Sequence, residues 1–344
     1  MRCCASSVCG TTAVRAQPSR DGEPPIQVRE IGSFHVGGRL ATTSGLPERE
    51  ITLLPGAPSM RLNPNGEFWV EQMYAHYVRL ANPRARYPLL MWHGGGLTGV
   101  TWETTPDGRP GWQTFFLRAG HDVYVSDAME RGRSGWARFP EIFPGEPIWR
   151  TMSESWTLFR IGPASGWNID PAQRRAFEGT RFPIPAYNPF VMQGVPRWTT
   201  TDRQVMAAYD ALVQRVCPCV VMVHSQGGYF GFNAALNAPD KVKAVIAVEP
   251  YATPDASADA ARVKDVPHLV VWGDFLEGNA FWTGGRSKVT VWQERIRAAG
   301  GVADTLDLPA EGIRGNSHMP MMDTNSDDVA ARVQQWMEQR GLMR

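Results

Sequence analysis

Val220-Val221-Met222-Val223-His224-Ser225-Gln226-Gly227-Gly228 carries an apolar run straight into a serine with glycines behind it. A strand that turns sharply into a helix at such a serine holds the hydroxyl out beyond the sheet edge, and a small residue two positions later lets the helix pack close. Ser225 and Gly227 meet that requirement. Val223 stands where a glycine is more usual, so a contact with little room is expected between it and a neighbouring strand or helix. A serine hydroxyl is a weak nucleophile near neutral pH; it needs a base, a group that orients the base, and donors aimed at the oxyanion.

Position sorts the seven histidines. His268 opens a strand at the end opposite Ser225, His121 precedes another, and His35 and His76 fall among the N-terminal strands. His224 adjoins Ser225 on the strand itself, where alternation sends its side chain to the other face. The candidate base is His318, in the loop Gly315-Asn316-Ser317-His318-Met319-Pro320 between the last strand and the last helix. Two strand ends offer an acid: Glu249 after Val242–Val248, and Asp274 after Leu269–Trp272. The residues themselves leave that choice open. For the oxyanion donors, Leu89-Leu90-Met91-Trp92 leads into His93-Gly94-Gly95-Gly96, whose backbone N–H groups can turn into the site, with the N–H of Gln226 as second donor.

The glycine loop has a rival reading. Gly94, Gly96 and Gly99 fit a dinucleotide fingerprint, and Asp127 ends the next strand, which would make the chain a nicotinamide-dependent oxidoreductase. That fingerprint needs its glycines to open a helix directly, so that the pyrophosphate meets the helix N-terminus. Here a polar loop with Pro106 and Pro110 follows, and the hydride-transfer reading is disfavoured. No cofactor or metal site is expected.

The elements that must position these residues follow from periodicity. Ile31 to Leu40, Glu50 to Leu54 and Phe68 to Leu80 read as antiparallel strands, with Phe68, Val70, Gln72 and Tyr74 on one face. Short apolar strands then alternate with amphipathic helices: strands at 89–92, 123–126, 220–223, 242–248, 268–272 and 304–308, helices at 111–119, 202–216, after Gly227, 289–299 and 327–339. Such alternation makes a mostly parallel sheet covered on both faces, with ligands beyond the carboxyl ends of its strands, where Ser225 emerges. Residues 136–200 break the rhythm and hold twelve of the 35 aromatic residues with many prolines. They are expected to form a cap or lid and the apolar wall of a pocket.

Bulk composition narrows the partners. With 35 Lys and Arg against 34 Asp and Glu, the net charge of +1 offers no electrostatic footprint for nucleic acid or an anionic membrane, and no apolar run is long enough to span a bilayer. Small molecules are the expected partners, and the chain could pair as a homodimer. Residues 1–27 lack periodicity and read as a disordered tail or export remnant, with export slightly favoured; residues 28–344 read as one domain. The five cysteines suggest no disulfide framework or zinc spacing.

Taken in order, His93-Gly94-Gly95-Gly96, Asp127 to Gly135, His224-Ser225-Gln226-Gly227-Gly228 and Gly315 to Met319 resemble the α/β-hydrolase superfamily from about residue 30 onward. Residues 93–109 further resemble a long loop string found in a small group of bacterial serine esterases. The resemblance implies an α/β-hydrolase fold and a cofactor-free serine carboxylesterase acting through an acyl-enzyme, with the chain order serine, acid, histidine. It also implies Glu249 rather than Asp274 as the acid, and Gly95 with Gln226 as the oxyanion donors. The group can carry a cysteine pair where this chain has Gly95 and Gly96. A non-catalytic binding protein on the same fold is the alternative from another class, since fold alone does not establish activity.

Overall fold

The computed structural model describes residues 22–344; most of the expected tail or export segment lies outside the described residues. An eight-stranded sheet runs in the order β1-β4-β6-β5-β7-β8-β9-β10. Its strands are β1 (Val28–Thr43), β4 (Gly66–Leu80), β5 (Leu89–Trp92), β6 (Val123–Asp127), β7 (Cys219–His224), β8 (Val242–Val248), β9 (His268–Trp272) and β10 (Ala303–Asp307). Strands β1 and β4 pair antiparallel, and β4 pairs antiparallel with β6. From β6 to β10 every pairing is parallel. A separate hairpin joins β2 (Arg49–Ile51) and β3 (Met60–Leu62).

The parallel strands are buried almost throughout, which is why they read as continuous apolar runs. Helices α2 (Trp112–Ala119), α5 (Asp202–Val216), α6 (Gly227–Asn237), α7 (Ala280–Ala298) and α8 (Ser326–Gln339) cover the faces and divide the core into two apolar clusters. The fold is an α/β-hydrolase fold: a mixed, mostly parallel sheet between layers of helices. Residues 23–27 are held against the end of β4 and helix α2, through Gln27 O accepting from Ala81 N and a Glu23–Arg118 ion pair.

Three expectations need correction. The face shared by Phe68 and Val70 does not continue to Gln72 and Tyr74; Met73 and Ala75 are buried instead. Glu71 adopts a left-handed φ of 65° opposite Gly37 and Gly38, both also at positive φ, and this kink slips the side-chain alternation by one residue. Helix α7 begins at Ala280 rather than 289: Asn279 caps it by accepting from Trp282 N, and the adjacent Gly285 is required because a Cβ there would lie 2.8 Å from the Tyr251 ring. Cys217 and Cys219 form a disulfide across Pro218 at the entrance to β7, where no pairing was expected from spacing.

Between β6 and α5 there is no strand. The segment holds the short helices α3 (Met152–Leu158) and α4 (Tyr187–Val191), several single turns, and an isolated bridge between Ile148 and Arg197. A capping box at Thr151 and Glu154 starts α3. Clustered rings, Trp156 against Tyr187 and Phe159 against Phe190, pack the segment internally.

Candidate active site

Ser225 lies one residue past β7 with φ 53°, a left-handed conformation costing roughly 1–3 kcal/mol in a non-glycine residue. The turn is closed by Ser225 N donating to Val248 O at 3.0 Å and Gly228 N donating to Ser225 O at 2.9 Å. Val223 does abut α6 as expected: a Cβ on Gly231 would lie 2.7 Å from Val223 Cγ1, and one on Gly227 would lie 3.3 Å from Val223 Cβ. The helix therefore meets the bulky strand residue with two glycines one turn apart.

His318 is brought to the same edge. Its Nδ1 lies 3.0 Å from Glu249 Oε2 and both side chains are fully buried. Assigning the proton to Nδ1 makes it the donor to the carboxylate and leaves Nε2 as the basic atom. Burial lowers the imidazole to about 4, against the Glu249 hydrogen bond and charge and with help from the Arg160 charge, so the neutral form prevails at pH 7. Trp282 packs at 3.9 Å between ring centroids and Phe159 stacks at 5.8 Å. Ser225 and His318 line one cavity of about 540 Å³ together with Gly95 and Gln226. Among the described residues no hydrogen bond joins Ser225 to His318.

Glu249 follows β8 directly and takes φ 54°. Arg160 grips it with both terminal nitrogens at 2.8 Å, and Gly273 N donates to Oε1. Burial alone would raise this carboxyl; the Arg160 charge and the His318 and Arg160 hydrogen bonds outweigh it and hold it at about 2. Asp274 is not brought to His318. Its oxygens accept from Phe275 N at 2.9 Å and Gly315 N at 3.0 Å, so it caps loops.

The glycine loop packs on the serine: a Cβ on Gly94 would lie 3.0 Å from Ser225 Cβ, and one on Gly95 would lie 3.0 Å from Gln226 Oε1. His93 braces the loop, accepting from Ala128 N through Nε2 and reaching Gly94 O through Nδ1. The dinucleotide reading finds no support in this geometry. Only four residues of helix (Val100–Glu103, α1) follow the glycines, and Asp127 is engaged by Gly99 N, Arg133 N and the Arg133 guanidinium.

No family model matches the chain. A solved structure described as that of a novel bacterial esterase is similar over 92% of this chain and 98% of its own, at 32% identity and a TM-score of 0.78. The chain belongs to the α/β-hydrolase superfamily. A curated relative, the probable secreted lipase phiG of Fungal sp. (strain ATCC 74256), is 27% identical, the match covering 75% of this chain and 84% of that one.

Other residues of this α/β-hydrolase site escaped sequence reasoning. His224, whose strand position predicts a side chain on the other face, is buried beside His318 instead, its Nε2 2.9 Å from His318 O and its ring 4.7 Å from the His318 ring. Asp323, with no exposed surface, accepts from Ser317 N, Ser317 Oγ and Asn316 Nδ2, pinning the histidine loop. Arg160 and Phe159 come from the irregular segment, and His318 N donates to Phe159 O at 2.9 Å. Nothing in the local sequence marks Arg160; its burial and its carboxylate partner are visible only in three dimensions.

Proposed function

We propose that this chain is a serine carboxylesterase that works through an acyl-enzyme. The observation that carries the reading is the buried His318–Glu249 hydrogen bond at 3.0 Å, at the sheet edge where Ser225 stands on its strained turn. Carboxylic-ester hydrolysis is the activity suggested by an esterase and a probable lipase among its relatives.

Ser225 Oγ attacks the ester carbonyl while His318 Nε2 takes its proton, and Glu249 stabilises the imidazolium. The Gly95 and Gln226 N–H groups stabilise the oxyanion; neither has a backbone acceptor among the described residues. The imidazolium then protonates the leaving alcohol, and water repeats the sequence to release the acid. Residues 136–200 act as the cap that walls the pocket, because Ile148, Arg150, Phe159 and Arg197 line the cavity that holds Ser225. The Cys217–Cys219 disulfide suits an oxidising compartment, and with the secreted relative it supports export.

Ser225→Ala is expected to stay folded and lose turnover of an activated aryl ester by at least about a thousandfold. A fluorophosphonate probe is expected to label Ser225 in the folded chain. Wild-type turnover by the variant would overturn the mechanism, and absence of labelling would favour a non-catalytic binding protein.

A further inference from the structure

Two cavities meet at the glycine loop. One, of about 540 Å³, holds Ser225 and His318; the other, of about 410 Å³, is lined mainly by apolar side chains including Leu97, Met152, Phe190 and Met192. Their shared wall consists of Gly95, Ile148, Arg150, Phe159 and Arg197. Arg197 in a wall that is otherwise apolar or backbone needs a reason, because its guanidinium is partly buried and loses hydration there, while Arg150 beside it stays exposed.

Arg197 is the better fixed of the two. Its backbone exchanges both hydrogen bonds with Ile148, at 2.8 and 3.0 Å, so the residue is part of a rigid bridge. Its Nε donates to Trp198 O at 3.3 Å, while among the described residues its two terminal nitrogens have no hydrogen-bond or ion-pair partner. One of them, Nη1, lies 2.8 Å from where a Cβ on Gly95 would sit, so the guanidinium presses against the proposed oxyanion loop. Arg150 leaves the same bridge two residues beyond Ile148 and is near enough to repel Arg197. The carboxylates that face them are Asp202, which accepts instead from Gln226 Nε2 at 3.2 Å, and Glu130, which accepts from Trp198 N at 3.1 Å; neither makes an ion pair with these arginines. The place is thus a half-buried guanidinium with free planar donors and an exposed like charge beside it, both lining the cavity that holds Ser225.

We propose that Arg197, assisted by Arg150, is an anion subsite, and that the substrate is an ester whose acid portion carries a carboxylate near the scissile carbonyl, with an apolar group in the second cavity. A guanidinium fork matches a carboxylate in two parallel hydrogen bonds, and a carboxylate placed there relieves the repulsion between the arginines. The proposal rests on the serine-esterase reading for the position of the reacting carbonyl.

The test compares the 4-nitrophenyl monoester of glutaric acid with the matching ester in which the free carboxylate is a carboxamide. The wild-type chain is expected to favour the acid in kcat/KM. Arg197→Gln should shrink that ratio by about ten- to hundredfold, the range of hydrogen bonds to charged groups. Arg197→Lys should retain part of it, and Arg150→Gln should lower it by about two- to fivefold. A separate arm measures calorimetric binding of monobutyl glutarate and its carboxamide counterpart to Ser225→Ala, with and without Arg197→Gln. There the acid should bind more tightly, and Arg197→Gln should erase the difference. An unchanged ratio in Arg197→Gln, or an equal loss for both esters, overturns the subsite. If Ser225→Ala keeps its turnover, the mechanism fails, and the binding arm still decides the subsite.

Discussion

Glu249 and Asp274 stand at neighbouring strand ends, one residue past β8 and two past β9, and their surroundings diverge. Glu249 is fully buried, gripped by Arg160 and bonded to His318. Asp274 is partly exposed and spends its oxygens on backbone N–H groups of Phe275 and Gly315. Arg160 touches both ends, with its terminal nitrogens on the Glu249 carboxylate and its Nε on the Asp274 carbonyl at 2.8 Å. A carboxylate can serve a buried histidine only if something offsets its own desolvation. At β8 a buried cation does so; at β9 solvent and loop capping suffice.

The sharpest way to break this comparison is to neutralise each carboxylate. Glu249→Gln is expected to lower kcat by about a thousand- to ten-thousandfold, as loss of the orienting acid does in comparable triads. Asp274→Asn should cost less than about tenfold, through looser loops. Equal losses, measured on one activated ester, would mean that the two strand ends share the role.

The strand ends themselves were legible because the parallel strands are buried on both faces: the apolar runs at Val242–Val248 and His268–Trp272 and the helix at Asp202–Val216 coincide with the observed elements. A polar residue that ends such a run reports its own position at the sheet edge, and in this way Ser225 and the pair Glu249 and Asp274 could be picked out, whereas His318 is marked by its place in the loop before the last helix. The cap is different. Its backbone has no period, so Arg160 looks like any other arginine among prolines and aromatics, although it grips the Glu249 carboxylate 89 residues further along the chain. The slip of alternation at Glu71 and the placement of His224 were missed for a related reason. Period-two reasoning assumes an unkinked strand and says nothing about what lies beyond its last residue.

Removing the cation is the next step. Arg160→Gln leaves Glu249 buried without its charge partner, and a loss of about 3–5 kcal/mol in folding stability is expected from chemical unfolding. Arg160→Lys restores a charge without the fork and should recover part of it. The ion pair also has a pH signature. With the folded carboxyl of Glu249 held at about 2, below its ordinary 4.5, its contribution is present above pH 4.5 and fades as pH falls towards 2. The activity profile of the free enzyme should show its acid limb near 4, where His318 is held, rather than near 6.5. In Arg160→Gln that limb should move upward, since a nearby positive charge that opposed the imidazolium is gone. An unmoved limb would mean that Arg160 is structural only.

Another buried carboxylate tests whether a cation is the only solution. Asp323 has no arginine clamp; it is held by the Ser317 and Asn316 donors, and burial pushes it up to about 7 against those hydrogen bonds. Its folded value lies above its unfolded one, so it adds stability at low pH that is lost as pH rises towards 7. His318, held neutral below its ordinary value, acts in the opposite sense over the same range. The difference between wild type and Asp323→Asn isolates the aspartate, because His318 is common to both. That difference in Tm should shrink on going from pH 5.5 to pH 8, and kcat should fall by no more than about tenfold, because the histidine loop keeps the His224 and Phe159 contacts. A gap that instead stays constant over this range would mean that Asp323 is ionised throughout, and that backbone and side-chain donors alone hold a buried carboxylate as Arg160 holds Glu249.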